Sequence, residues 1–189
     1  MEELINYILE FGHLNPKQIE LIGKNSEEIT LSKGEYFSEA GKTSKRLGFI
    51  LDGVIRSCYY NNKGEEITRS FAMEGCFTVD LNSFLNQIPS TEYIQAITDC
   101  KLIVISKKNW DELSSTIVDW ERISSKIIAK TMTHTVNIIS PLVSGDTATS
   151  YKMFLEEYPN LINRVPLSYL ASYLGVTQSS LSRIRKNIR

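Results

Sequence analysis

Hydrophobic residues along the chain change their period twice. Between residues 2 and 25 they recur at helical spacing. Leu4, Ile5, Ile8 and Leu9 share one face of a segment over 2–11, and Pro16 behind Asn15 opens a second over 16–25. From about 28 to 106 the texture becomes short β-rich runs: Glu28–Leu31, Glu35–Ser38, Leu47–Leu51, Val54–Tyr60, Glu66–Met73, Glu92–Thr98 and Leu102–Ser106. Lys33-Gly34, Asp52-Gly53 and Asn61-Asn62-Lys63-Gly64 divide them. Asp-Gly between two apolar runs predicts a hairpin, because the tight turn needs positive φ. Seven short strands with such turns predict a sandwich, barrel or jelly roll.

Beyond Lys107 the helical period returns. Residues 108–113 read as a short helix, and Trp120, Ile123, Ile127, Thr131, His134 and Ile138 then recur three or four apart. A helix over 118–140 would be roughly 35 Å long, more than a small domain needs to cover its own core. A narrow seam on so long a helix predicts a coiled-coil dimer contact through those residues. The other reading is a single intramolecular core helix. Ser140-Pro141 marks the expected end or kink. A further helix spans 146–158, with Asp146 as N-cap and Tyr151, Phe154, Leu155 and Tyr158 as its apolar face, before Pro159 stops it.

The last 25 residues carry the functional signal. Leu167, Leu170, Ala171 and Leu174 make a short helix behind Pro166, and Gly175 ends it. Val176 reads as a buried plug and Thr177 as the N-cap of a second helix. On that second helix Leu181, Ile184 and Ile188 face inward, while Ser179, Ser182, Arg183 and Lys186 face out. Two short helices with a tight glycine turn and a basic outer face predict a DNA-binding helix-turn-helix. Gln178, Ser179, Ser182 and Arg183 are then placed for base edges, Arg183 for a guanine and Gln178 for an adenine. Thr177, Ser180, Arg185 and Lys186 are placed for phosphates.

Charge sharpens this reading. The 189 residues sum to −1, yet residues 161–189 hold five basic side chains and no acid, against 16 basic and 22 acidic groups elsewhere. A basic module on an acidic body fits a nucleic-acid partner. Other chemistry is poorly supplied. Cys58, Cys76 and Cys100 show no metal or disulfide spacing and read as small buried apolar residues. His13 and His134 stand too far apart for a metal-dependent β-roll enzyme, so neither a metal nor a cofactor is expected. Ser179, Ser180 and Ser182 have no base at suggestive spacing, and the chain does not read as an enzyme. A composition of 42% hydrophobic and 23% charged residues is ordinary for a globular protein. The start Met1-Glu2-Glu3 does not read as a signal peptide, and no apolar run is long enough to span a bilayer; a cytoplasmic protein is expected.

Taken in order, several motifs resemble the CRP/FNR family of transcription regulators over nearly the whole chain. They are Leu31-Ser32-Lys33-Gly34-Glu35-Tyr36-Phe37, Gly48-Phe49-Ile50-Leu51-Asp52-Gly53, Lys63-Gly64, Glu74-Gly75-Cys76-Phe77, then Leu170-Ala171-Ser172-Tyr173-Leu174-Gly175-Val176-Thr177 and Leu181-Ser182-Arg183-Ile184. The resemblance implies an α+β chain: a cyclic-nucleotide-binding-like β-roll or jelly roll over 1–115, a dimerisation helix over 116–142 and a helix-turn-helix over 143–189. It implies a homodimer on a palindromic operator. Two departures qualify it. Where nucleotide-binding members carry a Gly-Glu pair and an Arg-Ser/Thr pair, this chain has Val79-Asp80 and Ser90-Thr91, so no arginine awaits a cyclic phosphate. Arg56 or Arg69 could substitute, although alternation turns Arg69 toward solvent. The expected effector, if the Val79, Asp80, Ser90, Thr91 region holds one, is therefore neutral or apolar and not cyclic AMP. Second, the sequence stops at Arg189, just after the recognition helix, and a reduced or absent wing is therefore expected. The alternative is a ligand-binding roll whose C-terminal helices serve only packing.

Overall fold

Local signals set the first helices. α1 (Glu2–Leu9) turns Leu4, Ile5 and Ile8 inward. α2 (Pro16–Lys24) opens with a reciprocal cap, the Gln18 backbone N–H donating to Asn15 Oδ1 at 3.0 Å and the Asn15 N–H to Gln18 Oε1 at 2.8 Å. The structure, a computed structural model, describes residues 1–144 and 146–188, and side chains within these outside 134–144 and 188.

Eight strands follow: β1 (Glu27–Leu31), β2 (Tyr36–Ser38), β3 (Arg46–Asp52), β4 (Ile55–Tyr60), β5 (Glu66–Ala72), β6 (Phe77–Thr78), β7 (Tyr93–Ala96) and β8 (Cys100–Ser106), with α3 (Leu81–Asn86) between β6 and β7. They form two antiparallel four-stranded sheets, ordered β1-β8-β3-β6 and β2-β7-β4-β5. Between them lies a core that includes Phe37, Ile50, Ile55, Ile94, Leu102 and Val104. Seven of these strands match the alternating runs; β6 and α3 are additions.

Asp52-Gly53 is a correction. β3 and β4 lie in different sheets, so this turn is a corner and not a hairpin. Gly53 is required there: its φ is +105°, and a Cβ would sit 2.6 Å from the Asp99 carbonyl oxygen and 2.5 Å from Cys100 Sγ. Turn chemistry senses local φ, and a corner asks for the same φ as a hairpin. The hairpin of the second sheet is β4–β5, closed by the Asn61 N–H donating to the Glu65 carbonyl at 3.0 Å.

α4 (Lys107–Thr116) and α5 (Trp120–Ser144) cross the outer face of the first sheet. There Leu47, Phe49, Ile103 and Ile105 pack against Leu4, Ile8, Leu113, Trp120 and Ile123. α5 continues through Pro141, so of the end or kink expected there the end is corrected. A proline removes one N–H and can bend a helix without ending it. α6 (Thr147–Glu157) is capped by Asp146, which accepts from Ala148 N and Thr149 N at 2.8 and 3.0 Å. α7 (Leu167–Tyr173) and α8 (Gln178–Ile188) complete the described chain.

Candidate functional site

The α7–α8 pair holds one buried and one open face. Leu170, Ala171 and Leu181 are buried where the helices meet. The turn closes by Val176 N donating to the Ala171 carbonyl at 2.9 Å, with Gly175 at φ +67°. Thr177 Oγ1 accepts from Ser180 N at 3.2 Å and lies 3.0 and 2.9 Å from the Ser179 and Ser180 hydroxyls. Thr177, Gln178, Ser179, Arg183 and Lys186 are exposed, while Ser180, Ser182 and Arg185 are half-buried. No acidic residue lies between Thr177 and Ile188, so the only formal charge on this face is positive, beside hydroxyls and amides. Such a face offers donors without competing acceptor charge, which suits a polyanion.

The same helix pair docks on the outer face of the second sheet. Ser172 of α7 bridges the β5 edge: its hydroxyl accepts from Thr68 N at 2.9 Å and donates to the Glu66 carbonyl at 3.1 Å. Arg56 is only 2% exposed and lies 3.5 Å beneath the Tyr169 ring. Its guanidinium donates to Gln95 Oε1 at 2.7 and 3.1 Å and to Glu66 Oε1 at 2.8 Å. Arg164 clasps Glu74 through two bonds of 2.9 and 2.6 Å, and Glu74 also accepts from Gly53 N at 2.7 Å. The Arg164 hydrogen bonds hold the Glu74 carboxyl down at about 2. Val54, Phe71 and Ile97 of the roll join Tyr151, Phe154 and Leu170 in one cluster below.

Inside the roll, the position expected for an effector's anion is filled. Asp80 caps α3 by accepting from Ser83 N at 3.0 Å, and its other oxygen accepts from the Ser90 hydroxyl at 2.7 Å. The Ser90 hydroxyl oxygen also accepts from the Glu92 N–H at 3.2 Å. Both Asp80 and Ser90 are buried, whereas Thr91 is exposed. Burial, ahead of the nearby Asp80 charge, pushes the Glu92 carboxyl up, and Arg69 opposes it from 3.4 Å. Arg69 is 63% exposed, as alternation predicts. The region thus presents carboxylates and hydroxyls already bonded to one another, an unfavourable setting for a phosphate.

Residues 28–116 match the cyclic nucleotide-binding domain. The match covers the roll, less than half of the chain. No curated protein matches the sequence. Among solved structures, FixK2 from Bradyrhizobium japonicum superposes with a TM-score of 0.75 at 15% identity, over 86% of this chain and 84% of that one. The c-di-GMP-responsive regulator CLP from Xanthomonas campestris gives 0.72 at 18% identity, over 92% and 91%. A regulator assigned to the CRP/FNR family from Eubacterium rectale gives 0.70 at 17%, over 92% and 83%. At these identities the likeness is one of fold.

Against that domain, the expected residues separate. Asp80 and Ser90 meet; Thr91 is exposed, and Val79 lines a cavity next to α5 on the outer side of the first sheet. Arg56 is no free phosphate partner, because α7 covers it. On α5, Ile123 is 1% exposed within its own chain, so it is not a surface residue for a partner; covering the domain's own core left no such face. Ile127 is half-buried against the same cluster, Thr131 is exposed, and the side chains of His134 and Ile138 lie outside those described. Cys58 and Cys100 are buried as read, and burial pushes the Cys58 thiol up to about 11; Cys76 is exposed. Sequence reasoning gives Glu74, Arg164 and Ser172 no role in docking the helices. Glu74 was noticed only as a neighbour of a turn glycine, and no local pattern links it to a residue 90 positions away.

Proposed function

We propose that this chain is a sequence-specific DNA-binding transcription regulator of the CRP/FNR type, in which α7, its turn and α8 form a helix-turn-helix. The observation that carries the reading is the exposed, acid-free outer face of α8 opposite a buried Leu181. Gln178, Ser179, Ser182 and Arg183 read bases from the N-terminal half of that helix, and Thr177, Ser180, Arg185 and Lys186 hold phosphates. One recognition helix covers too little DNA alone, so the chain acts as a homodimer on a palindrome with half-sites about 34 Å apart. The dimer contact is carried by the part of α5 beyond Ile123, through Ile127, Thr131, His134 and Ile138. A cytoplasmic setting fits this role, and among the described residues no helix is long and apolar enough to cross a membrane.

The same reading makes the roll unresponsive to cyclic AMP. Desolvating a cyclic phosphate beside the buried Asp80–Ser90 pair, with Arg56 engaged elsewhere, costs several kcal/mol without a counter-charge.

The test is selection of duplexes from a randomised pool, followed by fluorescence anisotropy on the selected and a scrambled sequence. Arg183→Ala is expected to cost about 1–3 kcal/mol on the selected duplex and to relax its specificity. Lys186→Ala should weaken both duplexes alike and flatten the salt dependence by about one charge. Failure to enrich any sequence would support the other reading, a ligand-binding roll on which the C-terminal helices only pack, which the extensive dock of α7 favours.

A further inference from the structure

The dock of α7 on the second sheet has an apolar part and a polar part with different consequences. Val54, Phe71 and Ile97 of the roll cluster with Tyr151, Phe154 and Leu170. Such contacts resist separation, but they are non-directional and tolerate a helix that slides or rolls. Hydrogen bonds tolerate this less, because they weaken steeply as their angle departs from linear. The polar part holds the C-terminal region at separate points. The Ser172 hydroxyl bonds two backbone groups of β5, the Thr68 N–H at 2.9 Å and the Glu66 carbonyl at 3.1 Å. Tyr169, one turn earlier on the same face of α7, covers the Arg56 guanidinium at 3.5 Å. Ahead of α7, Arg164 takes both oxygens of Glu74 at 2.9 and 2.6 Å.

The anchors on the roll are themselves held. Arg56 of β4 donates to Gln95 of β7 at 2.7 Å and to Glu66 of β5 at 2.8 Å, and Gln95 Nε2 donates to the Gly34 carbonyl at 3.0 Å. Neighbouring strands β7, β4 and β5 thus share one anchor. Docked in this way, α8 keeps Thr177, Gln178, Ser179 and Arg183 exposed. The docked arrangement is therefore one in which the basic face is open.

We propose that Tyr169 and Ser172 are positioning residues that set which half-site spacing the protein accepts, an inference that rests on the DNA-binding reading above. In that reading the dimer contact lies on α5 and the base-reading face on α8. The separation and relative turn of the two recognition helices then follow from how α7 sits on each roll. One added base pair moves a half-site by about 3.4 Å and turns it by about 35°. A joint pinned at Tyr169, Ser172 and Arg164 cannot follow both movements. One held by the apolar cluster alone follows them in part, so losing a pin relaxes spacing more than it weakens each contact with DNA.

The test uses the full chain with a single half-site duplex, the selected palindrome, and that palindrome lengthened by one base pair at its centre. Wild type should bind the lengthened palindrome at least about tenfold more weakly than the selected one, since avidity is lost when geometry forbids both contacts at once. In Ser172→Ala and in Tyr169→Leu that ratio should fall to about threefold or less, with half-site affinity within about twofold of wild type. Spin labels at Lys101→Cys on β8 and Asn187→Cys on α8 read the joint without DNA. Both positions are exposed, Cys58 and Cys100 are buried, and Cys76→Ser removes the exposed native thiol. With labelled chain diluted into unlabelled, pulsed dipolar spectroscopy should give a broader distance distribution in both variants than in wild type. A spacing ratio unchanged in the variants overturns the proposal and leaves the DNA-binding reading standing, as does an unchanged distance distribution. Half-site affinity that falls in step with palindrome affinity puts the defect in α8 itself and also overturns it. A wild type that binds no duplex overturns the DNA-binding reading, and the proposal with it.

Discussion

On the first sheet the outer face is covered by α1, α4 and α5 through apolar side chains, whereas on the second sheet α7 meets the roll through Arg56, Ser172 and the nearby Glu74–Arg164 pair. Apolar burial is non-directional and has no good alternative in water. The polar dock is directional, and each of its groups could be rehydrated if the helices withdrew. The first cover is therefore part of the roll's stability. The second is a joint that adds directional bonds to an apolar cluster of Val54, Phe71 and Ile97 against Tyr151, Phe154 and Leu170, and it holds the very helices that present the basic face. The regulator proposed above needs such a joint between its two parts, because only an interface with two accessible arrangements can pass on a signal.

Breaking each cover should show the contrast. Phe49 is 1% exposed and packs 5.4 and 5.1 Å from the Tyr7 and Phe77 rings. Phe49→Ala should cost about 3–5 kcal/mol in a denaturant titration and lower the cooperative unfolding of the whole chain. Arg56→Ala should cost about 3 kcal/mol, the low end for breaking a buried pair, since Glu66 remains 29% exposed and can rehydrate. Its loss should show as faster amide exchange and easier proteolysis in α6–α8 before the roll itself opens. A double-mutant cycle with Tyr169→Ala should return about 1–2 kcal/mol of coupling for the stacked guanidinium. Additive effects would mean that Tyr169 and Arg56 do not stabilise one another.

The contrast also explains what could be read without coordinates. The first cover was legible as a set of periodic faces, because Leu4, Ile8, Phe49 and Ile105 each follow the period of their own element. What periodicity cannot give is the partner of a face. Ile123 has the spacing of a dimer seam and of a core helix alike, and the structure buries it in its own chain. β6 escaped notice because two residues show no alternation, and α3 because Asn82, Asn86, Gln87 and Pro89 give it the composition of a loop. The polar dock was invisible for another reason. Ser172 bonds backbone atoms 104 and 106 positions away, and Arg164 reaches back 90 to Glu74, so no local rule could pair them. By contrast the α7–α8 pair was read closely, since its cap, its turn glycine and its inner face are all local signals.

The finest probe of the dock is pH, acting through Glu74. Its carboxyl lies at about 2 in the folded chain because Arg164 and the Gly53 N–H bond to the ionised form. An unfolded glutamate titrates near 4.3. With the folded value depressed, the stabilisation is fully present above the unfolded value and is lost as pH falls toward about 2. Glu74 is 34% exposed and Arg164 31%, so solvent screening reduces the effect to about 1 kcal/mol. Glu74→Gln should thus be about 1 kcal/mol less stable than wild type at pH 7, and the gap should close between about pH 4.5 and pH 2. Carboxylates elsewhere, which also respond to acid, cancel in that difference. In 1 M salt the gap at pH 7 should shrink, while the penalty of Phe49→Ala on the opposite face should not, because apolar packing is not screened by ions. Equal salt responses for the two variants would mean that both faces of the roll are held by the same kind of contact.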